Sequence, residues 1–449
     1  MDKLANERIE KLIMSFSLPA VVGIIVSALN NIVDRIFVGR GLGSTALSGV
    51  SVTFPITTII GALGALVGIG ATSLVSLKLG EKKADEAEKV IGNSLILGLL
   101  LSIIPMAVGY GFMKSILVGF GASSEVLPYA KEFTQVILIG TFFQIASFSL
   151  NSIIRGEGNP KRAFLTMVAC TVINLTLNPF FIFVLHMGIR GSALATVLAN
   201  FSCAVWVFFY FIGKQSLLKF QLKKFTLEFD MLKRLCVLGT PAFLMQLITS
   251  MILIVANRNL ETYGGNAAVA AMGVIYSIYS LVFMIIYGIS QGVQPIIGYN
   301  YGAGLFDRVK KALIFAVILS TGVCTFFYVI LMVFTRGIIK IFCDNPPELI
   351  SIATSGLRLF FLALPVIGIQ IIAISYFQAI GKPKQSLILT LFRQLIILIP
   401  LMMILPKFFN INGLWVSFAI SDAVSFLLAG ILLKNNLSKF DPKDNSLKV

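Results

Sequence analysis

Apolar residues fill this chain in long runs separated by short charged segments. Twelve runs are long enough to cross about 30 Å of hydrocarbon as helices. They lie roughly at 12–38, 48–77, 91–113, 127–150, 162–185, 191–213, 235–260, 267–298, 312–335, 350–377, 385–406 and 411–433. None alternates polar and apolar positions as a half-buried strand does. Backbone polarity in lipid permits only helices or closed barrels. The pattern predicts an all-α membrane protein with twelve transmembrane helices.

The pattern also repeats, 222 residues on. Ser17-Leu18-Pro19 precedes one run, and Gly239-Thr240-Pro241 precedes another. Gly70 and Gly80 recur as Gly292 and Gly302, and Gly191 and Asn200 recur as Gly413 and Asp422. Gly158-Asn159-Pro160 recurs, one residue out of step, as Gly381-Lys382-Pro383. Each half holds an even number of spans, so both enter the membrane in the same direction. The repeat predicts two parallel six-helix bundles related by an axis along the membrane normal, with a substrate cleft between them. The expected units are 1–213, a basic linker at 214–234, a second bundle at 235–433 and a tail at 434–449. Helix 2 carries Gly61, Gly64, Gly68 and Gly70, small residues that serve close packing, rocking of the halves, or both.

Composition agrees with this picture. Of the 449 residues 57% are apolar and 12% charged, against about 25% charged in soluble domains. A net charge of +16 in a soluble protein would point to nucleic acid. Here Lys and Arg collect on one side of the membrane, so topology explains the charge and no nucleic-acid partner is expected. Outer segments hold only Arg40, Lys114, Arg190, Arg258, Arg336, Lys340 and Lys407. The positive-inside rule then puts both termini in the cytoplasm. The charged segment from Met1 to Lys11 leads into an expected retained first helix, with no small-residue cleavage site after it. Five cysteines without metal-ligand spacing predict neither a disulfide framework nor a metal cluster, and His186 is the only histidine.

Four motifs, in order, match one family. They are Asn31-x-x-Asp34-x-x-Phe37-x-Gly39, Asn151-x-x-x-Arg155-Gly156-Glu157-Gly158-Asn159-Pro160, Asn174-x-x-x-Asn178-Pro179, and Gln294-Pro295-x-x-Gly298-Tyr299-Asn300-Tyr301-Gly302-Ala303. On these the chain resembles the multidrug and toxic compound extrusion (MATE) family, in its MepA-type bacterial branch. The resemblance covers nearly the whole chain. It implies a cation-coupled antiporter that expels bulky, often cationic drugs.

Few ionisable residues fall inside the spans, and each is a functional candidate because its burial is costly. Asp34 lies about 23 residues past Lys11, roughly 35 Å along a helix and so toward its outer end. It is either a headgroup-level carboxylate paired with Arg35 or a group facing the bundle while Arg35 turns away. The resemblance implies the family's coupling aspartate here. Desolvation disfavours a charged carboxylate, which suits a proton that must load and leave near neutral pH. Asn151, Asn174, Asn178 and Thr196 match other polar positions of the family's cation site. Asn174 and Asn178 share a helix face, and interhelical hydrogen bonding is the alternative role for such residues. The family often has aspartate where Asn178 stands, so Asp34 is the sole carboxylate. This favours H+ over Na+ as coupling ion, and Na+ at Asp34 is the only metal the sequence leaves room for. No cofactor is implied.

In the second half, Arg393 and Asp422 lie roughly 12 and 16 Å from the inner face. They are expected to pair, either as a lock between helices 11 and 12 or as a switching element. Arg358 and Glu132 are expected at the interface. Gln144, Met245, Gln246, Phe142, Phe143, Tyr276 and Tyr279 lie on spans able to line the cleft, where Met and aromatic faces suit varied organic cations. Ordinary packing is the competing role for each.

The leading expectation is a secondary antiporter in the plasma membrane, a monomer in the lipid bilayer, carrying small organic cations. A lipid-linked oligosaccharide flippase of the same superfamily is the nearest rival, but the scarcity of cations inside spans argues against an anionic pyrophosphate cargo. An enzyme would need a catalytic constellation, and a channel a filter repeat; neither motif is present.

Overall fold

The computed structural model describes residues 2–213, 215–221, 226–342 and 347–438. Helices carry these residues, with no strand among them. The first six spans are α1 (Ile9–Leu42), α2 (Phe54–Gly80), α3 (Ala84–Gly119), α4 (the bent pair Leu127–Ile139 and Thr141–Gly156), α5 (Pro160–Val184) and α6 (Gly188–Ile212). The second six are α7 (Phe229–Gly265), α8 (Ala267–Gly302), α9 (Phe306–Val333), α10 (the bent pair Leu349–Phe360 and Leu364–Ala379), α11 (Pro383–Ile404) and α12 (Pro406–Leu437). Ten pass as single spans, and the bent pairs make twelve. The bundles are two parallel sets of six, as the repeat implies. Lys214 and residues 222–225 of the expected linker, the tail beyond Ser438, and Cys343 lie outside the described residues.

Local chemistry sets the helix ends and bends. Proline sits in the first turn of α2, α4, α5, α11 and α12, where its missing N–H costs nothing. The Asn159 side chain caps α5 by accepting from the Arg162 amide. Both α4 and α10 bend by 51°. The α4 bend falls at Gly140, where any Cβ would collide with Val197 of α6. Short π-helical segments interrupt α5 at Phe180–Val184 and α11 at Phe392–Leu398. They do not correspond under the repeat, so each half carries its own irregularity.

The halves meet tightly at the face that carries the N-terminus. A Cβ on Gly80 would collide with the Tyr299 carbonyl, and one on Gly302 with the Leu77 carbonyl. Each contact is the other shifted by the repeat. Nearby, Gly70 and Gly239 press on the Leu235 and Leu66 carbonyls. Farther along α2 the seam loosens: the nearest atom to a Cβ on Gly61 is Gln246 Oε1, at 3.8 Å. The apolar core follows the same geometry. One buried cluster runs from the first bundle through Ile289, Val293 and Ile297 to Tyr376 and Phe377. A second cluster fills the rest of the C-terminal bundle alone.

The chain start reinforces this closed end. Arg308 of α9 donates to the Glu7 carbonyl at 2.7 Å and to the Leu4 carbonyl at 3.2 Å. Asn300 of α8 also donates to the Leu4 carbonyl, at 3.2 Å, and accepts from Arg308 Nε at 3.0 Å. The short helix Asp2–Asn6 is thus held by the opposite bundle.

Candidate functional site

A cavity of about 880 Å³ lies in the N-terminal bundle, walled by α1, α2, α4, α5 and α6 and closed on one side by α8. Asp34 lines it. Asn178 Nδ2 donates to Asp34 Oδ1 at 2.7 Å. Asn30 Nδ2 approaches Oδ2 at 3.4 Å. Asn174, oriented with its nitrogen inward, reaches Oδ1 at 2.7 Å while its oxygen accepts from Thr196 Oγ1 at 3.3 Å. Three amides therefore ring one carboxylate. Spacing explains the set: Asn30 is four residues before Asp34, and Asn174 four before Asn178, so each pair shares a helix face.

Arg35 does not neutralise Asp34. Its guanidinium lies over the Phe54 ring, 5.6 Å from the centroid. Among the described residues no Lys or Arg forms an ion pair with Asp34. The Asn178 Oδ1 atom is buried without a hydrogen-bond donor. That oxygen and the carboxylate are hard donors of the kind a small cation takes. Amides suit either charge state, because each presents N–H to an anion or C=O to a cation.

The second half lacks these groups. Ala256 and Phe418 stand where the repeat would place partners of Asp34 and Thr196, and both are buried in the C-terminal core.

Asn151 lies outside the ring although it lines the same cavity. Its nitrogen donates to the Ala163 carbonyl at 2.8 Å, and its oxygen accepts from Arg155 Nη1 at 2.9 Å. Arg155 itself corrects an expectation: the fourth span was expected to end near residue 150, which would leave Arg155 in the segment that follows. Instead α4 continues through Gly156, and the buried Arg155 side chain lines the cavity.

Gln144 lines the cavity, whereas Met245, Gln246, Tyr276 and Tyr279 are not part of its wall. Tyr276 and Tyr279 pack on the C-terminal core and begin an aromatic ladder along α8. Its steps are Tyr276–Tyr279 at 5.8 Å, Tyr279–Phe283 at 5.7 Å and Phe283–Tyr287 at 5.9 Å. Only its last ring, Tyr287, reaches the cavity. Sequence reasoning missed Asn30, Arg155, Tyr287 and Gln291 as cavity residues. The four-residue step from Asp34 was a signal for Asn30. On α8 the lining residues Ser280, Met284, Tyr287 and Gln291 step by four, three and four, a one-face spacing that was the available signal for Tyr287 and Gln291.

Arg393 Nε donates to Asp422 Oδ1 at 2.6 Å inside the C-terminal bundle. Ser421 Oγ donates to the Arg393 carbonyl at 2.7 Å, and Arg393 Nη2 reaches the Tyr279 hydroxyl at 3.5 Å. Glu132 pairs with Arg190 at 3.4 Å, and Arg358 Nε contacts Thr335 Oγ1 at 3.4 Å.

The two bundles each match the MatE family model, at residues 19–180 and 241–404. The chain belongs to the MatE family. The matched segments start 222 residues apart, which is the internal repeat again. The chain is 30% identical to the multidrug export protein MepA of Staphylococcus haemolyticus over 438 residues, covering 95% of this chain and 94% of that protein. It is 30% identical to MepA of Staphylococcus aureus strain MSSA476 over 425 residues, covering 94% and 93%. Among solved structures, a MATE protein in a bent conformation superposes with TM-score 0.92 at 27% identity, covering 98% of each chain. A multidrug resistance MATE family transporter in an outward-facing conformation superposes with TM-score 0.90 at 26% identity, also covering 98% of each. This MatE protein is a multi-pass membrane transporter by family and fold.

Proposed function

We propose that this MatE protein is a secondary antiporter. It exports bulky, drug-like organic cations in exchange for H+, or for Na+, by alternating access. The observation that carries the reading is Asp34: a carboxylate in a bundle cavity, ringed by amides and paired with no cation among the described residues. Such a group can take up and release a small cation without first breaking a salt bridge. The named relatives are multidrug export proteins, which supports drug-like cargo. A single carboxylate favours H+ as the coupling ion. The open Asn178 oxygen keeps Na+ as the second candidate.

The proposed setting is the plasma membrane, with both termini in the cytoplasm and the chain acting as a monomer. In that orientation the sealed N-terminal face is cytoplasmic. The seam around Gly80 and Gly302 is then the inner gate, and this geometry is the outward-facing state. Cation entry at Asp34 from outside would favour this state and release of cargo.

Dye efflux from proteoliposomes tests the proposal, with an imposed pH gradient and an imposed Na+ gradient applied separately. We expect efflux under the pH gradient. Efflux indifferent to both gradients would remove the antiport reading.

A further inference from the structure

Arg155 is a buried cation facing a cavity, and no carboxylate pairs with it among the described residues. Burying a charge is costly unless it is paired. The nearest carboxylate in sequence, Glu157, is committed elsewhere, to Tyr210, Ser216 and the Leu218 amide. Arg155 makes two hydrogen bonds, both to neutral side chains: Asn151 Oδ1 at 2.9 Å and Ser152 Oγ at 2.7 Å.

Both acceptors are themselves fixed. Asn151 is held by the Ala163 carbonyl, so its oxygen must face the guanidinium. Ser152 donates to the Phe148 carbonyl at 2.8 Å and so offers Arg155 a lone pair. A guanidinium carries five N–H donors. These contacts occupy one on each terminal nitrogen and leave the others for a ligand. The side chain is therefore oriented before any ligand arrives. The end of α4 contributes a partial negative charge, which eases burial of Arg155 without neutralising it.

We propose that Arg155 forms an anion-recognising subsite of the N-terminal-bundle cavity, which seats the carboxylate of an amphipathic, aromatic substrate. Arginine fits this role because its planar fork matches a carboxylate bidentately. Tyr287 and Gln291, one helical turn apart on α8, line the same cavity and supply a hydroxyl and an amide from the other bundle. A substrate held by Arg155 and α8 touches both bundles. Tyr287, the last ring of the α8 ladder, lines the same cavity as Arg155 and offers an aromatic face to the ring part of such a substrate. Cargo then includes zwitterions as well as plain cations, with Asp34 and Arg155 giving the cavity opposite charges. The subsite rests on the reading of this cavity as the substrate route, and the test separates the two.

The probes are a rhodamine with a free benzoate carboxylate and its methyl ester, one fluorophore with the anion present or capped. Binding to the purified full chain is measured by fluorescence anisotropy, and efflux is measured in proteoliposomes. The wild type should bind the free acid more tightly than the ester. Arg155→Gln should weaken the acid tenfold or more and the ester less than twofold, since a charge-assisted pair is lost only in the first case. Arg155→Lys, which restores charge without the fork, should recover part of the loss. Equal weakening of both dyes by Arg155→Gln would make the residue structural and overturn the subsite. So would unchanged binding, or a wild type that does not prefer the acid, a result that needs no variant to fold. An intact acid-over-ester preference with no efflux of either dye would support the subsite and fell the transport reading instead.

Discussion

Gly80 lies against the carbonyl of Tyr299, and the repeat carries this contact onto Gly302 and Leu77. Two copies of one close approach, on α2 and α8, make the seam symmetric at the sealed face. Backbone rather than side chain blocks a Cβ there, so relief requires the bundles to separate.

Gly80→Ala and Gly302→Ala should therefore destabilise the sealed arrangement by about 1–3 kcal/mol, the usual cost of overpacking. Each 1.4 kcal/mol is about a tenfold change in population. Ser76 is fully buried beside this seam. A cysteine there, in a background without the native cysteines, should react with a water-soluble maleimide about tenfold faster once either glycine is replaced. Unchanged labelling with an unchanged melting temperature would mean that the seam is not a packed gate.

Asp34→Asn should abolish gradient-driven efflux while the free-acid rhodamine still binds through Arg155, because it removes the titrating group while preserving shape. Asn178 and Asn174 then face a neutral amide and can still satisfy it. The check combines efflux under each gradient with equilibrium dye binding. Efflux at the wild-type rate would place the coupling ion elsewhere.

Much of the scaffold could be read in advance because lipid restricts the options. Twelve apolar runs had to be helices, and the 222-residue offset had to make two parallel bundles. The Asp34 ring was partly visible, since Asn174 and Asn178 had the spacing of one helix face. Arg155 was not, for a physical reason. It stands next to Gly156-Glu157-Gly158, a turn-like string, yet α4 extends to Gly156 and neighbouring helices bury that turn. Tyr276 and Tyr279 lie outside the wall of the Asp34 cavity for a different reason. The lining face of α8 begins at Ser280 and runs through Tyr287 to Gln291, whereas Tyr276 and Tyr279 precede it and pack on the C-terminal core.

Glu157 offers a pH test outside the spans. Its buried carboxyl accepts from Tyr210 and from Ser216 at 2.7 Å, tying the first linker residues to the N-terminal bundle. Burial pushes its pKa up, and the hydrogen bonds from Tyr210 and Ser216 only partly oppose this. A carboxyl raised above its unfolded value of about 4.3 stabilises the fold below that pH, and the contribution is lost as pH rises through the raised value. The melting temperature of the wild type should thus fall more steeply than that of Glu157→Gln as pH rises above about 4.3. Glu157→Ala should lose about 1–3 kcal/mol by stranding buried donors and should speed tryptic cleavage after the exposed Lys219. Parallel pH profiles for wild type and Glu157→Gln would show that this carboxyl does not titrate in that range.

Arg393 and Asp422 decide between a lock and a switch. Asp422 sits where Asn200 stands in the first half, so the C-terminal bundle carries a charge pair where the N-terminal one carries a neutral network. The Arg393 backbone is also fixed, through Ser421 and the π-helical turn that begins at Phe392. This geometry favours a lock joining α11 to α12. Asp422→Asn alone should strand a buried cation and cost about 3–5 kcal/mol, whereas replacing both partners with apolar residues of similar volume should recover most of that stability. The double variant Arg393→Met, Asp422→Leu should also retain gradient-driven efflux, since no ion needs the pair. A double variant that melts like the wild type but has lost coupling would instead assign the pair to the transport cycle.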